Sequence, residues 1–172
     1  MNTLHVPLGD CLLPLMEAHR EDLRAACTAD TEIWMMFPYS MLGEAFDPAF
    51  DAMLATPGRL AFAVLDDGAV VGCTSYLHDE ANAAVEIGGT FIHPRVRGSD
   101  FNRRMKALMI EHGFALGIGR IKFRVDTRNL RSCRAVEKLG CKLDGVLRRN
   151  RRTWTGYVRD TAIYSLLRGE WR

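Results

Sequence analysis

The chain has 172 residues, 48% of them apolar and 26% charged, a composition typical of one folded domain over residues 1–172 and not of a disordered chain. Its net charge of +2 is too small to indicate nucleic-acid binding, and no apolar run is long enough to cross a bilayer. The N-terminal sequence lacks the basic-then-apolar layout of a signal peptide, so we expect a cytoplasmic protein with no membrane partner. The five cysteines form no C-x-x-C pair and have no histidine at zinc spacing, which favours reduced thiols and no bound metal.

The first half of the sequence predicts two short helices and a meander of strands. A loose helical pattern over residues 14–27 is followed by a bend around Pro38. A second helix is expected from Asp47-Pro48, with the aspartate as its N-cap and the proline at its first position. The sequence DDG at 66–68 is typical of a tight hairpin turn, because glycine readily adopts a positive φ. Strands are expected at residues 3–8, 60–65, 69–76 and 83–92.

The second half predicts strands that alternate with helices. Apolar residues from Phe101 onward recur every three to four positions, which indicates a helix capped by Ser99 or Asp100. A shorter helix over residues 132–139 should stop at Gly140, because glycine commonly follows a helix C-terminus. Strands are expected at residues 121–125, 143–149 and 158–167. This order of elements indicates an α+β domain built on a mixed, mostly antiparallel sheet of about seven strands.

The stretch VRGSDFN at residues 96–102 joins a strand to the longest predicted helix and is a candidate phosphate-binding loop. Amides at a helix N-terminus have no partner inside the helix and lie at the positive end of its dipole. A Walker loop is excluded because no Gly-Lys-Ser/Thr follows, and a dinucleotide-binding turn because its later glycines are missing. The alternative is an ordinary strand-to-helix turn. Asp100 would repel a phosphate unless it caps the helix or pairs with Arg97, Arg103 or Arg104.

A longer pattern surrounds this loop. From Val85 onward the chain contains, in order, VEIGGTFIHPRVRGSDFNRRMKALMIEHGF, RIKFRVDTRNLRSCRAVEKLG, GVLRRN and VRDTAIYSLLRGEW. The order of the loop, the Asn-x-x-Ser helix start and the Arg-Asp-Thr strand resembles the GNAT superfamily of N-acetyltransferases. Within it, the branch that includes the ribosomal-protein N-terminal acetylases is the most similar. The resemblance implies the GNAT fold, a central twisted sheet flanked by helices, and acetyl-CoA or another acyl-CoA as cosubstrate.

The resemblance also implies which residues bind the coenzyme. The pantetheine arm would pair with the strand edge at Phe91 and Ile92, as an added β-strand would. Asn129 matches the family asparagine that contacts coenzyme A beyond the next strand. The family usually has a glycine where Asp100 stands, so weaker binding than in a glycine version is expected. The pyrophosphate would bind the amides of Arg97, Gly98, Ser99, Phe101 and Asn102.

Acyl transfer to an amine needs a base, polarisation of the carbonyl oxygen and stabilisation of the leaving thiolate. Glu86 matches an acidic residue of the family and is the candidate base, acting through a water; alternatively it is a charge on the polar face of the sheet. Val136 stands where many members have a tyrosine that acts as the acid. The remaining candidate for the acid is Ser132, which in the ribosomal branch is thought to act on the coenzyme A sulfur. The alternative for Ser132 is a plain N-cap. His78 and His93 are further candidate bases.

The acceptor site is implied by the family to lie between the first two helices and the last hairpin. Its candidate walls are Trp34, Met35, Phe37 and Tyr39 on one side and Trp154, Tyr157 and Arg159 on the other. Core packing is the alternative for Trp34 and Phe37. Gly89 replaces a family tryptophan, which would leave room for a bulkier acyl group or acceptor. Cys133 has no neighbouring base and is interpreted as a bystander thiol.

The favoured hypothesis is an acyl-CoA-dependent N-acetyltransferase that acts by direct attack in a ternary complex. Its acceptor would be a primary amine, at a protein N-terminus or in a small molecule. The alternative is a catalytically degenerate domain that binds coenzyme A and has a regulatory role. Val136 and Asp100 favour this alternative. An RNA-binding module would rest on the RRNRR stretch at residues 148–152 alone, which is either a solvated basic hairpin or a feature that attracts anions. No nucleic-acid partner is expected, and a homodimer is left open.

Overall fold

The computed structural model describes residues 4–172, which form seven strands and four α-helices joined by turns and short 3₁₀ segments. No helix in residues 4–172 is long and apolar enough to cross a membrane. In chain order the elements are β1 (Leu12–Pro14), α1 (Arg20–Cys27), α2 (Phe46–Ala55), β2 (Arg59–Asp66), β3 (Ala69–Asp79), β4 (Ala84–Ile92), α3 (Phe101–Ala115), β5 (Arg120–Asp126), α4 (Leu130–Lys138), β6 (Lys142–Arg152) and β7 (Val158–Leu167).

The seven strands form one sheet in the order β1-β2-β3-β4-β5-β7-β6. Only β4 and β5 are parallel neighbours, and every other pair is antiparallel. The parallel pair is short, because only residues 84–86 and 120–122 are in register. Beyond them the two strands diverge and the sheet opens into a cleft. The predicted α+β class, with a mixed and mostly antiparallel sheet of seven strands, is confirmed.

Each face of the sheet has its own apolar core. On one face, α3 contributes Met105 and Met109 to a core shared with Val85 of β4. On the other face, Leu23 of α1 and Phe50 of α2 pack in a second core. Because both faces are covered near β4, this strand is held firmly at the edge of the cleft.

A bulge at Gly89 shifts the alternation of β4 by one residue, so that odd-numbered side chains point to opposite faces of the sheet before and after it. Ile87 packs in the core beneath α3, yet Phe91, which has the same parity along the strand, packs in the core beneath α1 and α2. The register between β3 and β4 shifts at this point, and Gly89 has a φ of 59°. As a result Glu86 and Phe91 share the face of α1 and α2, whereas Thr90 faces α3.

Several local expectations are confirmed. The turn between β2 and β3 has positive φ at Asp67 and Gly68, as a two-residue hairpin requires. Gly140 follows α4 with a φ of 86°. The last strand has the predicted bounds, Val158–Leu167, and the aromatic segment around Pro38 is irregular apart from one 3₁₀ turn.

The N-terminal region differs from the prediction. Thr3, at the start of the predicted strand over residues 3–8, lies outside the described residues, and the rest of that segment forms turns with a single bridge between Leu8 and Leu12. The edge strand is β1 instead, whose Leu12 is fully buried opposite β2. Since Pro14 still belongs to that strand, α1 begins only at Arg20.

Asp47 is not the N-cap of the second helix, as the sequence had indicated. The helix α2 begins one residue earlier, and no side chain caps it. The Asp47 carboxylate instead accepts hydrogen bonds from Arg20 and Arg24 of α1, both at 2.8 Å. The acidic residue therefore joins two helices.

Candidate functional site

A cleft of about 650 Å³ lies where β4 and β5 diverge. The loop before α3 and the start of α4 border it on one face of the sheet, and the segment after α1 borders it on the other. Among the residues assigned from the sequence, those that line the cleft are Phe37, Tyr39, Glu86, Phe91, Ile92, Arg97, Gly98, Ser99, Asn102, Asn129, Ser132 and Arg159. Those that do not are Trp34, Met35, Phe101, Trp154 and Tyr157, together with His78, His93 and Cys133.

The loop between β4 and α3 carries backbone amides that have no acceptor. Gly98 has a φ of 77°, which lets the chain turn sharply before the helix. Within residues 4–172 no acceptor is found for the amides of Gly98, Ser99, Asp100, Asn102 and Arg103. These amides lie at the positive end of the helix dipole, so the loop offers several donors to an anion.

Two of the amides predicted to bind phosphate are already bonded. The Arg97 amide donates to the carbonyl oxygen of Pro94 at 3.0 Å, and the Phe101 amide donates to Ser99 Oγ at 3.2 Å. Both amides already have an acceptor within the protein, and their assignment to the pyrophosphate stays a prediction. The other three amides of the predicted set remain available.

The Arg97 side chain supports the loop from below. Its Nε donates to the carbonyl oxygen of Ile92 at 2.9 Å, and its guanidinium forms an ion pair with Asp30 after α1. The guanidinium also lies 5.7 Å from the ring centroid of Phe91. Arg97 thus ties the loop to β4 and to the opposite face of the sheet.

Asp100 pairs with Arg103, one of the arrangements that the sequence had left open. The two groups form a bidentate contact, with N–O distances of 2.6 and 2.8 Å. This hydrogen bonding holds the pKa of the Asp100 carboxyl below its usual range. Its side chain makes no capping hydrogen bond to α3. The negative charge beside the loop therefore has its own counter-ion.

Beyond the bulge, one edge of β4 is open. From Ile87 onward no strand among residues 4–172 pairs with β4 on the side of β5. The Phe91 ring is buried against Trp34, with 5.0 Å between ring centroids, so at this position only the backbone faces the cleft. An extended ligand chain can add to such an edge as an extra strand would.

Glu86 is a carboxylate without a partner in the wall of the cleft. It makes no hydrogen bond or ion pair with any residue of the described chain. Burial raises the pKa of its carboxyl, although Arg124, Arg151 and other nearby cations act in the opposite direction. A raised pKa makes the carboxylate a better proton acceptor near neutral pH.

The start of α4 forms the other wall. Asn129 is the N-cap of α4, because its Oδ1 accepts a hydrogen bond from the Ser132 amide at 3.1 Å. The N-cap interpretation of Ser132 is therefore wrong, and its hydroxyl, which has no partner among residues 4–172, borders the cleft. Val136, one turn further on, is apolar and 5% exposed, so it offers no proton where the family tyrosine would stand.

Sequence reasoning missed Lys106, a buried lysine on α3. Its Nζ donates to Thr90 Oγ1 at 2.5 Å and to Thr74 Oγ1 at 3.1 Å, and it lies 6.0 Å from the ring centroid of Phe123. Lys106 has no carboxylate partner among residues 4–172, and burial lowers the pKa of its amine to about 7. The only signal was a lysine between Met105 and the next apolar position of a helical stripe.

The aromatic residues predicted for the acceptor side have separate roles. Trp34 is fully buried in the core, which is the alternative that the sequence left open, so its side chain is not a cleft wall. Trp154 is half exposed and donates from Nε1 to the Trp34 carbonyl at 2.8 Å. Tyr157 lies under the guanidinium of Arg128, 3.9 Å from the ring centroid, away from the cleft. Tyr39 does line the cleft.

Gly89 does not leave an open space for a larger ligand. A Cβ at this position would lie 2.6 Å from Arg59 Nη2 and 3.1 Å from the Tyr39 hydroxyl. The place that the missing tryptophan would take is thus filled by an arginine from β2. The whole of β3 separates Arg59 from Gly89 in the chain, so no local pattern in the sequence indicated the contact.

Comparison with known proteins shows that the chain is similar to acetyltransferases. Residues 11–142 match the family model described as an acetyltransferase (GNAT) domain. An acetyltransferase structure from T. thermophilus is 36% identical, with a TM-score of 0.84 over 93% of this chain and 86% of that one. A GCN5-related N-acetyltransferase from Brucella melitensis is 28% identical, with a TM-score of 0.87 over 95% of this chain and 78% of that one.

A more distant structure shares the fold. Mycobacterium smegmatis RimJ in complex with CoA-disulfide is 18% identical, with a TM-score of 0.77 over 91% of this chain and 80% of that one. The comparison with curated proteins found no match. The fold implied by the sequence pattern is confirmed, whereas the ribosomal-protein branch stays a prediction.

Proposed function

Because the chain belongs to the GNAT family of acetyltransferases, we propose that it transfers an acetyl group from acetyl-CoA, or another acyl group from its acyl-CoA, to a primary amine. The amine would be a protein N-terminus, as in the ribosomal-protein branch, or part of a small molecule, and the enzyme would work in the cytoplasm. The observation that carries this proposal is one cleft that joins unbonded helix-start amides, an open strand edge and an unpartnered carboxylate. These are the three parts that a coenzyme and an attacking amine need.

For the coenzyme, we propose that the free amides from Gly98 to Arg103 bind the pyrophosphate. The pantetheine arm would extend along β4 at Phe91 and Ile92, and Asn129 would contact it from the start of α4. A protein with the same fold, Mycobacterium smegmatis RimJ, was solved in complex with CoA-disulfide, which supports coenzyme A as the kind of ligand. Backbone N–H groups near the bulge would polarise the thioester oxygen.

For the chemistry, we propose direct attack in a ternary complex. The amine nitrogen attacks the thioester carbonyl carbon, a C–N bond forms and the C–S bond breaks. Glu86 takes the proton of the amine through a water, which suits a carboxyl whose pKa is raised by burial. The leaving thiolate takes a proton from solvent through the Ser132 hydroxyl, which borders the cleft, and Glu86 returns its proton to solvent.

The test is thiol release from acetyl-CoA in the presence of a panel of amines, together with calorimetry of acetyl-CoA binding. We expect micromolar to millimolar binding and amine-dependent thiol release at a stoichiometry of one thiol for each acetylated amine. A protein that binds the coenzyme but releases no thiol with any amine would support the regulatory alternative. Absence of acetyl-CoA binding at millimolar concentration would contradict both the proposed enzyme and the regulatory alternative.

A further inference from the structure

The face of the sheet that carries Glu86 has an excess of positive charge. Arg124, Arg151 and Arg159 line the cleft on this face, and none of them has a carboxylate partner in the described chain. Arg124 donates only to the side-chain oxygen of Asn150, at 3.0 Å. We call these three residues the arginine cluster. Glu86 is an unpaired carboxylate close enough for these three cations to lower its pKa against the effect of burial.

The cluster is assembled by strand pairing. Arg151 of β6 and Arg159 of β7 are direct cross-strand partners, so their side chains lie on the same face. Arg124 of β5 is on that face too, because its neighbours Phe123 and Val125 pack in the core beneath α3. Like charges on neighbouring strands repel each other, and an anion bound between the three arginines would remove this repulsion.

Arg159 is the strongest indication of a ligand. It is 7% exposed, its Nε has no partner, and its one hydrogen bond goes to the Met36 carbonyl at 2.8 Å. Burial, together with Arg151 and Arg124, outweighs the attraction of Asp126 and Glu86 and holds the pKa of its guanidinium below the usual range. A buried cation with no carboxylate in direct contact is costly, and a carboxylate or phosphate would satisfy it with charge-assisted hydrogen bonds.

The turn between β6 and β7 is joined to the segment after α1 by Trp154, whose Nε1 and amide donate to the carbonyls of Trp34 and Phe37 at 2.8 and 3.3 Å. The bond from Arg159 to the Met36 carbonyl adds a third link. These contacts restrict the space beside the cluster and favour a small acceptor over a long polypeptide.

We propose that the acceptor is a small amine that carries its own anionic group, a carboxylate or a phosphate, which the arginine cluster binds while the amine lies beside Glu86. This inference rests on the proposed acyl transfer and narrows its substrate class. The cluster lies on the face opposite α3 and α4, whose N-termini border the proposed coenzyme site, so its anion is distinct from the pyrophosphate.

The experiment compares matched pairs of amines with acetyl-CoA as donor. L-alanine is paired with L-alaninamide to test a carboxylate, and phosphoethanolamine with ethanolamine to test a phosphate. We expect the anionic member of at least one pair to have the higher kcat/KM, by about tenfold or more, the effect of one hydrogen bond between charged groups. Equal or better turnover of both neutral members would overturn the proposal. The pair that shows the preference identifies the anion.

Variants assign the preference to the cluster. Arg151→Gln and Arg124→Gln should each reduce the preference by about tenfold, mainly through KM, and should leave acetyl-CoA affinity unchanged. Arg152→Gln is the matched control, because Arg152 is adjacent to Arg151 on the strand, does not line the cleft and bonds the Gly156 carbonyl. A preference that survives both cluster variants would contradict the assignment.

Two further measurements separate this inference from the proposed function. Calorimetric binding of phosphoethanolamine and ethanolamine to the protein with coenzyme A tests the cluster without turnover; tighter binding of the anionic amine that Arg151→Gln abolishes supports it, and equal binding contradicts it. Succinyl-CoA with neutral amines tests the other source of an anion. Efficient transfer that depends on Arg151 would mean that the anion belongs to the acyl donor, which would overturn the proposal.

Discussion

The two sides of the cleft are built from different parts of the chain. The coenzyme side consists of backbone: free amides before α3, an open edge of β4 and a capped start of α4. The acceptor side consists of side chains from distant strands, above all Glu86 and the arginine cluster. Backbone groups can bind the same coenzyme whatever the side chains are, whereas the charges opposite can change with the acceptor. The difference indicates that specificity lies on the side of Glu86.

The largest expected effect tests the acceptor side through Glu86. Glu86→Gln keeps the shape of the side chain and removes its basicity, so kcat should fall by about 100-fold or more. In the native protein, activity should rise as the pH increases through the raised pKa of this carboxyl, since only the ionised form accepts a proton. That rising limb should disappear in the variant. Rates of thiol release across a pH series would measure both effects.

Acetyl-CoA affinity is the control for this variant, and calorimetry should find it unchanged. If Glu86→Gln weakened coenzyme binding as much as turnover, the division between the two sides would fail. An unchanged kcat with the pH limb still present would remove Glu86 from the chemistry altogether.

A smaller effect is expected on the coenzyme side from Gly98→Ala. Gly98 has a φ of 77°, and no atom lies within 4 Å of the position that a Cβ would take, so alanine adds backbone strain of about 1–2 kcal/mol and no clash. Strain in the loop should turn the free amides away from the pyrophosphate and lower acetyl-CoA affinity by about tenfold.

Gly117→Ala is a matched control for this change. Gly117 also has a positive φ, 90°, and open surroundings, but it follows the far end of α3. Both variants should lose similar thermal stability, and only Gly98→Ala should lose coenzyme affinity. Equal affinity in the two variants would show that the loop does not bind the coenzyme through its backbone.

More of the residues assigned to the coenzyme side than of those assigned to the acceptor side line the cleft, and the reason is physical. The free amides lie in a local pattern, a glycine turn before a helix, and Glu86 was placed by the resemblance of VEIGG to the family. Arg59 reaches Gly89 across two strand pairings, and the cluster joins Arg124 to Arg151 across β7. Such contacts depend on register, which no local pattern specifies.

Local patterns also failed where tertiary contacts prevailed. The strand predicted over residues 3–8 had suitable residues, yet the edge strand is Leu12–Pro14, whose Leu12 is fully buried where it pairs with β2. Lys106 could not be singled out from the sequence because a lysine in a helix is normally exposed. Its burial depends on two threonine hydroxyls from β3 and β4 that only the fold brings together.

The pH dependence of stability should reveal Lys106. Burial lowers the pKa of its amine from 10.5 to about 7, so between these values the unfolded chain binds a proton that the folded chain does not. Stability from this group therefore falls as the pH decreases from 10.5 to 7 and is constant below. Lys106→Met removes this pH-dependent loss of stability. The melting temperature of the variant minus that of the native protein should therefore increase as the pH is lowered from 10 to 7.

An exposed lysine gives the comparison for this measurement. Lys138→Met, at the end of α4, should show a constant difference from the native protein across the same pH range. A constant difference for Lys106→Met as well would mean that Lys106 is protonated in the folded protein at every pH tested. The ammonium would then contribute a fixed positive charge to the cleft.

The smallest effect is expected at Asp100, where the sequence predicted tighter coenzyme binding for Asp100→Gly. Since Arg103 already pairs with this carboxylate, the single change should alter acetyl-CoA affinity only slightly. In an Arg103→Gln background the carboxylate has no such partner and repels the pyrophosphate, so Asp100→Gly should then increase affinity clearly, most of all at low salt. Calorimetry of the four proteins forms a double-mutant cycle. Additive effects would show that the pair does not shield the loop, and the anomaly that Asp100 presents in a phosphate-binding sequence would need another explanation.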